Sequence, residues 1–338
     1  MLIVMHHQAT QEQIDQVIAA VIAMGLQAEP IPGSLRTAIG VLGNQGYVDD
    51  STIRTLAGVR ETIHVSKPYK LVSRDFHPVS TVVDVSGVRF GDGEKPVIIA
   101  GPCSVESEEQ ILEAAEQVKA AGAQMLRGGA FKPRTGPYSF QGLGLKGLKY
   151  LQQAGQASGL PVVTEVMRIE QLDTICQHAD MLQVGARNMQ NFDLLKEVGK
   201  TGHPVLLKRG MSATIEDFLA AAEYIVAEGN TQVVLCERGI RTFEKTTRNT
   251  LDLSVVPLIR EMSHLPIIVD PSHATGKRML VPIMSKAALV AGAHGVMVEV
   301  HPNPAGALCD GAQSLSGNDF AAFMKDINRL YEFLGYSD

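Results

Sequence analysis

Two rhythms of apolar and polar residues run along the chain, and they meet near residue 95. In the first stretch, Leu2-Ile3-Val4-Met5 has the length and composition of a strand. Thr10 to Met24 then places Ile14, Val17, Ile18, Val21 and Ile22 at helical spacing, and Gly25 is set to stop the helix. Leu26–Ile31 reads as a weaker strand and Thr37–Leu42 as a clear one. Asp49 or Asp50 is expected to cap a short helix running through Leu56, and Val59–Val65 closes the set as a strand. Residues 67–94 read as a bridge. Lys67–Arg74 is expected to be extended because Pro68 restricts its neighbour and breaks a helix. Thr81–Val85 and Val88–Phe90 predict a hairpin about Ser86-Gly87.

Beyond residue 95 the pattern repeats. Buried-strand candidates are Val97–Ala100, Gln124–Arg127, Pro161–Glu165, Met181–Gly185, Pro204–Lys208, Gln232–Glu237, Pro266–Asp270 and Gly295–Val300. Helical segments alternate with them: Ser107–Ala121, Gly144–Ser158, Ile169–His178, Phe192–Gly199, Thr214–Glu228, Thr250–Glu261, Met279–Ala291 and Asn318–Leu334. Ser107-x-x-Gln110 has the form of a capping box, and Gly122, Gly159, Gly199, Gly229 and Gly292 sit where helices should end. Eight such alternations over residues 95–338 predict an α/β fold, a (β/α)8 TIM barrel, for which roughly 250 residues is typical. An open doubly wound sheet is the structural rival, weakened because no Gly-x-Gly-x-x-Gly follows the first strand. The order β-α-β-β-α-β ahead of it predicts a small ferredoxin-like α+β domain. The expected boundaries are 1–66 for that domain, 67–94 for the linker and hairpin, and 95–338 for the barrel. Small modules of the first kind serve regulation or interaction as often as catalysis, and residues 1–66 show no catalytic cluster.

Composition narrows the functional classes. The 338 residues are 45% hydrophobic and 20% charged, ordinary for a globular protein. No apolar run approaches the roughly 18 residues a membrane span needs. Met1–His7 lacks the basic start and apolar core of a signal peptide. Four scattered cysteines suit a reducing, cytoplasmic setting. A net charge of −6 argues against general nucleic-acid binding, so any anion site must gather its cations locally.

In a barrel, function lies at the C-terminal ends of the strands and in the loops that follow. Those ends are rich in chemistry. Cys103 follows strand 1, Arg127 ends strand 2 with Lys132 in the loop after it, and Glu165 ends strand 3. Arg187 follows strand 4, Lys208 ends strand 5, Arg238 follows strand 6, His273 follows strand 7, and Glu299 ends strand 8. Cys103, His273, Glu299 and Asp310 are candidate metal ligands, with His301 a competitor for the histidine position. Thiolate, imidazole and carboxylate together suit Mn2+, Fe2+, Co2+ or Zn2+ and fit Ca2+ poorly. Each alone has a bland reading, Cys103 as a small buried hydrophobe and His273 as a satisfied polar residue; only their shared end of a barrel joins them. Arg127, Lys132, Arg187, Lys208 and Arg238 should converge on one cavity, which points to a polyanionic small substrate beside a divalent metal. The Gly128–Gly144 loop also carries Arg134 and mixes cations with turn residues.

At these residues the chain resembles the 3-deoxy-D-arabino-heptulosonate 7-phosphate (DAHP) synthase family. The resemblance is carried by Ala100-Gly101-Pro102-Cys103-Ser104, the Gly128–Gly144 loop with its Lys132-Pro133-Arg134-Thr135 core, and Gln183-Val184-Gly185-Ala186-Arg187. Leu206–Gly210, Leu235–Gly239 and Val269–His273 add to it. It implies condensation of phosphoenolpyruvate (PEP) with erythrose 4-phosphate and water, giving DAHP and phosphate, the first step of the shikimate pathway to aromatic amino acids. It implies that Arg127, Lys132, Arg187, Lys208 and Arg238 hold PEP, that Arg134 and Thr135 hold the aldose phosphate, and that Cys103, His273, Glu299 and Asp310 hold the metal. Lys132 would serve as a proton donor and Glu165 would orient water. The N-terminal domain resembles that of the subgroup inhibited by aromatic amino acids, which implies a Tyr or Phe effector, and the family implies a homotetramer. One departure stands out: where the family loop reads Arg-Thr-Ser-Pro-Tyr, this chain has Gly136, so a hydroxyl is missing. The alternatives are 3-deoxy-D-manno-octulosonate 8-phosphate synthase, whose loop carries Lys-Ala-Asn-Arg, and a non-catalytic amino-acid sensor.

Overall fold

The computed structural model describes residues 1–33, 36–44, 48–64, 68–132, 136 and 138–336. Two compact units emerge: residues 1–79 with 262–264, and residues 80–261 with 265–338.

In the first unit, strands β1 (Leu2–Met5), β2 (Gln27–Pro32), β3 (Thr37–Leu42) and β4 (Val59–Ile63) form one sheet in the order β2-β3-β1-β4. Each neighbouring pair is antiparallel, the ferredoxin-like arrangement. Helix α1 (Gln11–Ala23) lays Ile14, Val17 and Val21 against Ile3, Met5, Ile39 and Val41. Thr10 starts it with a reciprocal cap: its hydroxyl accepts from Gln13 N while Gln13 Oε1 accepts from Thr10 N. The second helix expected here contracts to a single 3-10 turn, Ile53–Thr55. Asp50 caps nothing, because its carboxylate is taken by Arg54 Nε at 2.8 Å, the Thr62 hydroxyl and His64 Nε2 at 3.2 Å. The segment expected to be extended instead turns at residues 71–76, with Tyr69 and Val72 buried; Val65 and Lys67 lie outside the described residues.

In the second unit, β5 (Val83–Val85) and β6 (Val88–Phe90) pair antiparallel about Ser86 and Gly87, both at positive φ. Eight parallel strands follow: β7 (Val97–Gly101), β8 (Met125–Arg127), β9 (Val162–Val166), β10 (Met181–Val184), β11 (Val205–Lys208), β12 (Val233–Glu237), β13 (Ile267–Val269) and β14 (Gly295–Glu299). They pair in chain order, and β14 closes onto β7. Val83, Val85 and Phe90 of the hairpin are wholly buried against inward-facing Ile99, Met125, Val163, Leu206, Val234 and Met297, which seals one end of the barrel. The outer helices are α2 (Glu108–Ala121), α3 (Leu145–Ser158), α4 (Leu172–Cys176), α5 (Phe192–Lys200), α6 (Ile215–Val226), α7 (Val255–Met262), α9 (Val281–Val290) and α10 (Gly317–Phe333). A short α8 (Pro271–Thr275) lies between α7 and α9.

Several local expectations are corrected. Ser107 caps α2, but Gln110 sends its side-chain oxygen to Glu106 N, so the reciprocal half of the box is absent. Gly122, Gly159, Gly229 and Gly292 take positive φ after their helices, whereas Gly199 lies inside α5. A Cβ there would sit 2.7 Å from the Ile225 carbonyl of α6, so the glycine permits close packing, and Gly202 makes the left-handed turn. Helix α7 begins only at Val255 because the Thr250 N–H and C=O are both bonded to Ile240, at 2.9 Å each. The helix expected over Ile169–His178 is a 3-10 turn followed by the five residues of α4.

Candidate active site

At the end of the barrel opposite the hairpin, a cavity of about 240 Å³ is lined by six cations: Arg127, Lys132, Arg187, Lys208, Arg238 and Arg248. Glu165, Gln183, His273 and Asp310 complete much of its wall. The side chains arrive from successive strand ends, as a closed parallel barrel requires. Arg127, Lys132, Lys208 and Arg238 are buried, whereas Arg187 is exposed at the rim.

The expected basin of five unneutralised cations is only partly so. Arg127 Nη1 donates to Glu299 Oε1 at 3.0 Å, and Lys208 Nζ donates to Asp270 Oδ2. Lys132 Nζ donates to the Cys103 carbonyl at 2.8 Å and lies 3.2 Å from Cys103 Sγ. Arg238 Nη1 is buried with no hydrogen-bond partner among the described residues, the orphaned donor an anion would satisfy. Burial alone would lower the Lys132 pKa, yet facing Cys103 and Glu165 hold it above the ordinary lysine value. Lys132 therefore stays cationic in a buried place.

Beside Lys132, one ligand atom from each of Cys103, His273, Glu299 and Asp310 falls within 4.8 Å of all the others. Cys103 Sγ lies 3.3 Å from Asp310 Oδ2, and His273 Nε2 lies 3.2 Å from Glu299 Oε1. Helix α8 presents the histidine. Asp270 is its N-cap, with Oδ1 accepting from His273 N at 2.9 Å, and Pro271 occupies its first turn. Asp270 Oδ2 also accepts from His273 Nδ1 at 2.7 Å, which leaves the Nε2 lone pair facing the cluster. Burial keeps the imidazole neutral, its pKa lowered despite Asp270 and Glu299. Burial opposes ionisation of Glu299, but the Arg127 guanidinium beside it holds its pKa below the usual carboxylate range. Gln313 Nε2 and the Ser272 hydroxyl fix Glu299 from behind, the first on Oε2 and the second on its backbone N–H. The Cys103 thiol is pushed up by its hydrogen bond with Cys309, by burial and by Glu299. A divalent cation would reverse that balance, since a coordinating thiol is deprotonated. Neutral imidazole, two ionised carboxylates and a thiol with oriented supports fit such an ion.

Two glycines let the wall close. A Cβ on Gly129 would lie 2.7 Å from the Cys103 carbonyl and 2.9 Å from Lys132 Nζ, so glycine lets the lysine fold back. A Cβ on Gly185 would lie 2.0 Å from Glu165 Oε1. The Glu165 carboxylate rests on that bare backbone and accepts from Gln183 Nε2 at 3.3 Å.

The structure thus brings together Cys103, Arg127, Lys132, Glu165, Arg187, Lys208, Arg238, His273, Glu299 and Asp310. Arg134 and Thr135 lie outside the described residues. His301 is no competitor for His273: its Nε2 faces Glu106 Oε2 at 3.3 Å and its Nδ1 accepts from Asn303 N. Sequence reasoning missed Arg248, whose Nη1 lies 3.5 Å from Asp310 Oδ1 and 3.2 Å from Gln313 Oε1. It also missed Gln313. Both sit in long loops beyond strand ends, and no local pattern marks them.

A closed parallel barrel with a cationic cavity at its mouth, beside a cluster of side chains able to hold a metal ion, has the make-up of an enzyme. The chain belongs to the DAHP synthetase I family, which matches residues 76–333, with the DAHP synthase ferredoxin-like domain matching residues 1–67. It is 50% identical over 335 residues to the phospho-2-dehydro-3-deoxyheptonate aldolase of Thermotoga maritima, covering 99% of each chain. A crystal structure of phospho-2-dehydro-3-deoxyheptonate aldolase (DAHP synthase) from Thermotoga maritima superposes with a TM-score of 0.79, covering 99% of this chain and 98% of that one. A 2-dehydro-3-deoxyphosphooctonate aldolase of Geobacter sulfurreducens is 30% identical over 73% of this chain and 97% of its own, so the octulosonate alternative is not favoured. No helix among the described residues is long and apolar enough to cross a membrane.

Proposed function

We propose that the cavity condenses PEP with erythrose 4-phosphate and water to DAHP and phosphate. The observation that carries this reading is the meeting of a four-ligand cluster and a cationic cavity at Lys132, whose Nζ lies 3.2 Å from Cys103 Sγ. The two substrates bring about five negative charges, which the cations and a divalent ion offset. When bound by Cys103, His273, Glu299 and Asp310, such an ion supplies Lewis-acid polarisation of the aldehyde oxygen.

The chain's own groups do the rest. Arg127, Lys132, Arg187, Lys208 and Arg238 hold the PEP carboxylate and phosphate, with Arg238 Nη1 gaining its missing partner. Arg134 and Thr135 hold the aldose phosphate. Lys132 gives a proton to the aldehyde oxygen as PEP C3 bonds to the aldehyde carbon. Glu165, steadied by Gln183, orients the water that adds at C2 and takes its proton, after which the C2–O bond breaks and phosphate leaves. We assign the reaction to the start of aromatic amino-acid biosynthesis in the cytoplasm, by a homotetramer that Tyr or Phe inhibits through residues 1–66. The match of residues 1–67 to the ferredoxin-like domain supports that regulatory role.

The test is phosphate release from PEP with erythrose 4-phosphate against arabinose 5-phosphate, with and without chelator. Turnover with the four-carbon sugar, lost to chelator and restored by Mn2+, is expected. Preference for the five-carbon sugar refutes the substrate assignment. Inhibition by Tyr or Phe that survives removal of residues 1–66 refutes the regulatory one.

A further inference from the structure

The Gly128–Gly144 loop contains a feature that these roles leave unused. Gly136 and Ser139 both line the cavity, and Ser139 N donates to the Gly136 carbonyl at 3.2 Å. A Cβ on Gly136 would lie 3.2 Å from Ser139 Oγ. The Ser139 hydroxyl therefore stands over the bare face of Gly136, in the space where a side chain at 136 would project. The Ser139 carbonyl accepts from Gln141 Nε2 at 3.1 Å, but its hydroxyl has no hydrogen-bond partner among the described residues. A half-buried, uncommitted hydroxyl on the wall of a six-cation cavity is a ready donor to an anionic oxygen.

We propose that Ser139 is a substrate-binding residue that donates its hydroxyl to the phosphate of the aldose phosphate, the contact that Gly136 cannot make. The assignment to this phosphate rests on the function proposed above and on depth. Arg127, Lys132 and Lys208 are buried at the inner end of the cavity, whereas Gly136 and Ser139 are only half-buried, toward the opening. The aldehyde must reach the cluster beside Lys132, so the far end of the sugar, which carries the phosphate, points outward to the loop. Glycine at 136 then has a purpose: it leaves room for the hydroxyl three residues on.

The experiment measures KM for both substrates in wild type, Ser139→Ala and Gly136→Ser/Ser139→Ala. A hydrogen bond to a charged oxygen predicts that Ser139→Ala raises the erythrose 4-phosphate KM about ten- to a hundred-fold. The KM for PEP should stay within about twofold and kcat within about threefold, as for an interaction made equally in ground and transition states. In the double variant the vacated space accepts the new side chain, and most of the lost affinity should return. An unchanged erythrose 4-phosphate KM in Ser139→Ala, or an equal rise in both KM values, overturns the inference while wild-type turnover leaves the reaction itself standing. A wild type that fails to release phosphate from this substrate pair overturns both.

Discussion

Gly185→Ala tests the placement of Glu165 without removing any charged group. The added Cβ would lie 2.0 Å from Glu165 Oε1 and 2.8 Å from its carboxyl carbon. Ordinary contact begins at about 3.4 Å, so the carboxylate must retreat by about 1.4 Å, or the strand end must yield. Glu165 is buried and bonded to Gln183, so it has little room to move. A misplacement of about 1 Å reduces rate roughly 100-fold, and that is the expected loss in kcat. Overpacking should destabilise the protein by about 1–3 kcal/mol, a shift readable in Tm. The assay is steady-state phosphate release with metal content measured on the same sample. Glu165→Gln should lose rate to a similar degree, and combining it with Gly185→Ala should add little, because both act through one carboxylate. A Gly185→Ala enzyme with wild-type kcat, or fully additive losses in the double variant, refutes the role given to Glu165.

Three further outcomes follow from the geometry. Cys103→Ala should fold, bind divalent metal at least about tenfold more weakly and lose turnover, so normal metal content by elemental analysis refutes the ligand set. Lys132→Ala should lower kcat by about 100-fold or more, since it removes both an anion partner and a proton donor, and a near-normal rate in the same phosphate assay demotes Lys132. His264 gives a pH effect of definite sign. Burial holds its folded pKa down to about 4, against 6.5 unfolded, although Nε2 can donate to the Leu71 carbonyl at 2.8 Å. Between those values the unfolded chain takes a proton that the folded chain refuses, so stability falls as pH drops. The loss from about pH 8 to about pH 5 is about 2 kcal/mol, and His264→Gln should flatten that portion of the denaturation profile.

The barrel strands were legible because each is a short buried run between polar loops, and all eight lie within a residue or two of their expected bounds. Failures came where distant side chains set local structure. Asp50 looks like a helix cap until Arg54, Thr62 and His64 claim its carboxylate. Thr250 looks helical until Ile240 takes both its backbone groups. Helix α8 could have been read, since Asp270-Pro271 is an N-cap followed by a first-turn proline. The metal ligands were legible as types at strand ends, although Cys103 and Asp310 are 207 positions apart. What the sequence could not reveal was neutralisation: Arg127 meets Glu299 from 172 positions away, and Lys208 meets Asp270 from 62. The free anion-binding capacity is correspondingly concentrated on fewer groups, Arg238 foremost.

The β5–β6 hairpin also decides how the chain can be dissected. Val83, Val85 and Phe90 share one continuous core with the inside of the barrel. Burying such side chains contributes about 1.5–3 kcal/mol each, together comparable to the whole net stability of a typical domain. A fragment begun at residue 80 keeps this stopper, whereas one begun at residue 95 keeps every barrel strand and every cavity residue yet opens a greasy shaft to water. The shortest catalytic piece is therefore set by a ribbon that contributes no residue to the cavity, and trimming to the first barrel strand should yield an insoluble product.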